Sequence, residues 1–144
     1  MRELIMLTHS AWLLILGPMV FVMGFGPWLE AKYYPVVDPF VVLASETSNG
    51  NLVISGWMDQ RREYCRVKEL YAVLTEGTDM PSVADVQFGG RTGKAPVSRP
   101  RGKQKWGPWS IPVTPEVTTV TIRARHQCHL LWDTVSELTV YRRG

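Results

Sequence analysis

From Ala11 to Leu29 the chain reads AWLLILGPMVFVMGFGPWL, nineteen residues without a charge. At about 1.5 Å of rise per residue, a helix of that length nearly crosses a hydrocarbon core of about 30 Å. Adding Leu4 to Ser10 makes the length ample, but draws Thr8, His9 and Ser10 into the span. Trp12 and Trp28 stand near the two ends, where amphipathic rings favour the membrane–water boundary. Gly17-Pro18 would kink a helix in water, yet such pairs are tolerated in spanning helices. The expectation is a retained N-terminal membrane anchor over residues 1–32.

Two other readings compete. A cleaved signal peptide needs small residues before the cut, and the only such pair, Gly24 and Gly26, is followed by Pro27, which disfavours cleavage. A buried core helix of a water-soluble domain usually keeps a polar side, and this segment is apolar all round. Orientation is weakly marked. Arg2 precedes the span against Glu3, while Glu30, Lys32 and Asp38 follow it, a small bias toward an N-terminus in the cytoplasm.

Residues 33–40 form a Pro-interrupted connector, too broken for a helix. After it come short runs rich in β-branched and aromatic residues: 40–44, 52–58, 65–74, 84–88, 106–113, 117–125 and 136–141. Turn signals separate them, at Ser48-Asn49-Gly50-Asn51, Glu76-Gly77-Thr78-Asp79, Gly89-Gly90 and Thr114-Pro115. Strands at this spacing predict a mainly β fold over residues 41–144, an antiparallel sandwich in the immunoglobulin or fibronectin manner. The clearest alternation is at 117–128, where Val120, Ile122, Ala124, His126 and Cys128 share one parity. A weaker one places Cys65, Val67, Tyr71 and Val73 on a common face, although Glu69, Leu70 and Ala72 would not resist a helix there.

Cys65 and Cys128 thus fall on apolar strand faces, and two such positions in facing sheets can meet at disulfide distance. That bond needs an oxidising compartment, which agrees with the charge bias: the domain is expected outside a bacterial inner membrane, facing the periplasm. Two unlinked buried thiols are the plainer alternative. His126-Gln127-Cys128-His129 invites a metal or redox reading through Cys65, His126 and Cys128. Adjacent residues on a strand point to opposite faces, so His129 cannot join that set, and no fourth ligand is evident. The expectation is no metal and no cofactor, with both histidines structural or capping.

Residues 91–105 (RTGKAPVSRPRGKQK) hold six Lys or Arg and no acid. An exposed loop of this kind attracts lipid headgroups or other anionic surfaces, and Arg99, Arg101, Lys103, Lys105 and Trp106 are the expected contact residues. Nucleic acid is not expected, because the net charge of +3 is mild and few rings stand ready for stacking. A solvated loop that keeps a sheet edge from pairing is the plainer alternative. Next comes Trp106-Gly107-Pro108-Trp109. Pro108 cannot donate to a ladder, which assigns this element to an edge or a bulge, with Trp109 and Ile111 closing the core and Trp132 nearby. There is no GxSxG, HExxH, CxxC or phosphate-cradling glycine loop, and the acids are scattered, so the reading is a non-enzyme.

Three patterns resemble small uncharacterised phage and prophage single-span membrane proteins with a C-terminal β domain. They are Ser55-Gly56-Trp57-Met58-Asp59 with Arg61-Arg62 and Cys65; Ser98-Arg99-Pro100-Arg101-Gly102 leading to Trp106-Gly107-Pro108-Trp109; and Arg123 to His129 with Trp132. The resemblance covers roughly residues 52–132 and transfers no catalytic residue. It implies a phage-encoded product, either a virion component or a resident of the host envelope. Together the readings describe a membrane-anchored structural or interaction protein whose partners are lipid, another protein or further copies of itself. The rival class is a redox or metal-binding envelope protein.

Overall fold

The computed structural model describes residues 2–77, 80–89 and 99–143. Thr78 and Asp79 of one expected turn, and Arg91 and Lys94 of the basic segment, lie outside the described residues. One helix, α1 (Arg2–Tyr33), precedes eight strands: β1 (Val37–Ser48), β2 (Asn51–Gln60), β3 (Arg66–Glu76), β4 (Ser82–Asp85), β5 (Gln87–Phe88), β6 (Gly102–Pro112), β7 (Val117–Gln127) and β8 (Thr134–Arg142).

The helix runs unbroken through Pro18 and Pro27, and its side chains from Leu14 to Phe25 stand exposed on every side. It is therefore not the core helix of the domain. The segment Leu14–Tyr33 is long and apolar enough to cross a membrane.

The strands form two four-stranded antiparallel sheets, ordered β1-β2-β6-β5 and β4-β3-β7-β8, packed face to face. This is the A-B-E-D against C′-C-F-G arrangement of immunoglobulin-type sandwiches. The run expected at 84–88 is split. It leaves one sheet as β4 and enters the other as β5, with buried Val86 at the crossing. Alternation in β2 is complete: Leu52, Ile54, Gly56, Met58 and Gln60 face inward and the residues between them do not. Leu52, Ile54 and Met58 meet Ala72 and Leu74 of β3, Ile111 of β6, and Val117, Val120 and Ile122 of β7 in one apolar core.

In β3 the expected inward face is wrong beyond its first residues. Val67 pairs with His126 and Glu69 with Arg125, so Lys68 is the extra residue of a bulge. One added residue exchanges the faces of a strand. Leu70, Ala72 and Leu74 therefore pack inward, and Tyr71 and Val73 do not.

Trp106-Gly107-Pro108-Trp109 lies in β6, which pairs with β2 along its length but with the two-residue β5 only at Trp109 and Ser110, so among the described residues Trp106 and Gly107 lie on an edge stretch. The bulge reading holds: Ile54 pairs with Trp109 and Gly56 with Trp106, leaving Ser55 alone opposite Gly107-Pro108. Both indoles turn inward at 4.6 Å between ring centroids, with Phe40 edge-on to Trp106 at 4.9 Å and Phe88 edge-on to Trp109 at 5.6 Å. Gly56 makes room for this. A Cβ there would lie 1.9 Å from the carbonyl oxygen of Val41 and 2.8 Å from the Trp106 ring.

The connector is shorter than expected. The helix continues to Tyr33 and β1 starts at Val37, because Val37 already pairs with Gln60 and the Arg61 amide donates to the Val36 carbonyl at 2.9 Å. Pro39 sits at the register shift between Val37 and Phe40, where a missing donor costs the ladder nothing.

Candidate functional site: the joint between helix and sandwich

All strand ends that begin or finish near the helix gather at one end of the sandwich. They include the start of β1, the β2–β3 connection at 61–65, and the β7–β8 connection at 128–133. Cys65 and Cys128 are disulfide-bonded there, with 4.3 Å between their Cα atoms. The bond does not cross between facing sheets as expected. It follows directly from the pairing of Arg66 with Gln127, and ties the ends of two neighbouring strands in one sheet.

Against this clamped end lies Glu30, in the last turn of α1 and buried. Its Oε1 is paired with the Arg62 guanidinium and accepts from Nε2 of His129 at 2.8 Å. Its Oε2 accepts from the indole Nε1 of Trp132 at 2.6 Å and from the hydroxyl of Thr134 at 2.8 Å. Withdrawing a carboxylate from water costs several kcal/mol unless a counter-charge and hydrogen bonds meet it. Four donors, one of them a guanidinium, supply that compensation.

Two further contacts complete the joint. A Cβ on Gly26, one turn before Glu30, would lie 3.1 Å from the Trp132 ring, so the glycine lets helix and indole approach closely. Arg61 pairs with Asp38 at 3.1 Å and donates from Nε to the Asp38 carbonyl at 2.6 Å, which fixes the start of β1 to the same end. An open cleft of about 800 Å³ lies alongside, lined by Leu29, Tyr33, Tyr34, Arg61 and His129 among others. Chemically the arrangement holds one ionised carboxylate in place and sets the pose of the helix on the sandwich.

The expected contact residues divide. Arg101, Lys103 and Lys105 are exposed, and Lys103 stands 5.7 Å from the Trp57 ring on the outer face of β2 and β6. Arg99 is partly covered and donates to the Lys105 carbonyl at 2.8 Å. Trp106 is no contact residue: only 2% of it is exposed, because the face of β6 that bears it packs against the facing sheet. Trp132 is likewise not at the end of the core but against the helix.

The set Cys65, His126 and Cys128 is not brought together as ligands, since both sulfurs are spent on each other. Among the described residues, no group of three or more His, Cys, Asp or Glu is placed to hold a metal ion. His126 is buried inside the sandwich, with no hydrogen-bond partner for either ring nitrogen among the described residues. Desolvation pushes its imidazole down to about 4, so it is neutral at pH 7.

Sequence reasoning missed the joint. Glu30 stood only as a charge after the span, and its partners are 32 to 104 residues away. The one available signal was an acid directly abutting the apolar run, a placement that asks for a partner. No protein-family model, curated protein or solved structure matches this chain, so nothing in these comparisons identifies a phage protein family.

Proposed function

We propose that the chain is a bitopic membrane protein in which α1 spans a bilayer and the immunoglobulin-like sandwich is held in a fixed pose on one side of it, as a structural or interaction module. The observation that carries this reading is the helix itself. Its apolar side chains project clear of the sandwich in every direction, a surface that suits the lipid interior of a bilayer. The lone acid at the end of the apolar run is turned away from lipid and compensated within the joint. A joint of this kind transmits the orientation of the membrane to the sandwich, as an interaction module near a surface requires.

The disulfide supports a domain facing an oxidising compartment, in bacteria the periplasm. Lys103 and Lys105 lie in the half of β6 nearer the helix, since Gly102 pairs with Gln60, and Arg101 directly precedes that strand, so their charge favours anionic headgroups of the same membrane. The opposite end of the sandwich, with a cleft of about 290 Å³ lined by Thr47, Leu52, Val113, Tyr141 and Arg143 among others, is left for a protein partner.

Expression of the full chain in bacteria tests this reading. After an alkaline carbonate wash the protein should stay with the membranes, and protease added to spheroplasts should remove the sandwich and spare the helix. Release by carbonate, or a sandwich protected until the inner membrane is opened, overturns anchorage or orientation respectively.

A further inference from the structure

Taking the membrane-anchor reading as its basis, we infer that the β7–β8 connection, Cys128 to Asp133, is a second membrane contact, with Leu130 and Leu131 inserted at the boundary between headgroups and acyl chains beside the helix. Depth carries the argument. The Trp132 ring lies against Gly26, which belongs to the uncharged run 11–29 and precedes Glu30 by one turn. At about 1.5 Å per residue, the Trp132 ring at this end of the connection therefore reaches alongside the last 6 Å or so of the span before Glu30. A bilayer that covers the helix up to its end has no room to avoid the connection.

The side chains at that level suit such a place. Leu130 is 97% exposed and Leu131 64%, two adjacent aliphatic residues at the tip of a connection that is otherwise tied down. Cys128 is bonded to Cys65 at one end, and Asp133 is held by Lys68 at 2.9 Å and Arg125 at 3.1 Å at the other. A braced loop that presents bare leucines has no internal reason to do so. Tyr64, beside the same disulfide, is 92% exposed with φ +70, an unfavourable backbone for a bulky residue that no packing of its own ring offsets. Tyr33 and Tyr34 at the helix end are also exposed, and tyrosine is at home in the interfacial layer.

The chain contains its own control. Leu43 on β1 is 67% exposed, nearly the same as Leu131, and lies outside the helix-proximal connections. Hydroxyl-radical footprinting of the unaltered full chain, reconstituted at one copy per lipid nanodisc and read by mass spectrometry, compares the two. Leu131 should be oxidised about tenfold more slowly than Leu43, because the layer it enters holds little water. Met19 and Met23 in the helix should be protected and Met80 fully reactive. If Leu130 and Leu131 react as fast as Leu43 while Met19 and Met23 stay protected, the second contact does not exist and the span stands. If Met19 and Met23 react as well, the anchor reading fails and this inference with it. Protection that appears only when several copies share one vesicle assigns the leucines to a second copy, and overturns the lipid contact.

Discussion

The carboxylate of Glu30, in the last turn of the helix, accepts a 2.8 Å hydrogen bond from the hydroxyl of Thr134, the first residue of β8. Thr134 is completely buried, and Glu30 is the acceptor that its hydroxyl meets. The bond ties the end of the helix to the start of a strand. Without Glu30, four donors on the sandwich would lose their shared acceptor.

Glu30→Ala is therefore expected to loosen the joint more than the sandwich. Leaving buried donors unmet costs about 1–3 kcal/mol, and Arg62 recovers part of its loss through water because it is partly exposed. A joint weakened by about 2 kcal/mol opens roughly thirtyfold more often. Trypsin cleavage at Lys32 in detergent micelles should accelerate by that factor, with little change in the sandwich melting temperature. An unchanged cleavage rate would show that Glu30 does not hold the helix.

Reduction of Cys65–Cys128 is expected to act on both. The closed loop spans 63 residues, for which the chain-entropy estimate is about 4 kcal/mol, or a fall in Tm on the order of 20 °C for a domain of this size. Because Cys128 also anchors the connection carrying His129 and Trp132, reduced protein should show the faster Lys32 cleavage as well. A full loss of stability with the cleavage rate untouched would separate the disulfide from the joint.

Gly56 and Gly77 form a matched pair of expectations. Alanine at Gly56 meets the Val41 carbonyl and the Trp106 ring, and forcing those apart costs about 3 kcal/mol. Alanine at Gly77 meets nothing within 4 Å and pays only for its left-handed backbone, φ +55, about 1 kcal/mol. Thermal unfolding of the two variants measures the difference; equal shifts would contradict the packing of Trp106 across Gly56.

How much of this was legible in the sequence depends on range. The long apolar helix, the strand alternation expected at 117–128 and the bulge at Pro108 rest on neighbours in the chain, and each was readable as such. Which strands share a sheet is a long-range fact. Cys65 and Cys128 could be paired from the alternation, but whether they face or flank one another was hidden until Arg66 met Gln127. The bulge at Lys68 carries no Gly or Pro to announce it, so the faces of β3 were exchanged. The joint was the least legible of all, since Glu30, Arg62 and Thr134 come from three separate elements.

His126 makes stability depend on pH in a defined window. Its imidazole titrates near 6.5 when unfolded and near 4 when folded, so between those values only the unfolded chain takes up the proton. Stability contributed by the neutral ring is complete above about 6.5 and lost as pH falls toward 4, a change of about 3 kcal/mol. The loss should be shared out across pH 6.5 to 4 in thermal melts of the wild type, and the part between pH 6.5 and 5 should be absent from His126→Leu. Identical profiles for the two proteins would place the titrating group elsewhere.

The most direct measurement is sedimentation of the full-length chain in detergent-free buffer, before and after vesicles are added. An exposed apolar helix should drive the protein into large assemblies without lipid, and vesicles should carry it with them on flotation. A monodisperse monomer that ignores vesicles would contradict the anchor, and with it the joint as a link between membrane and sandwich.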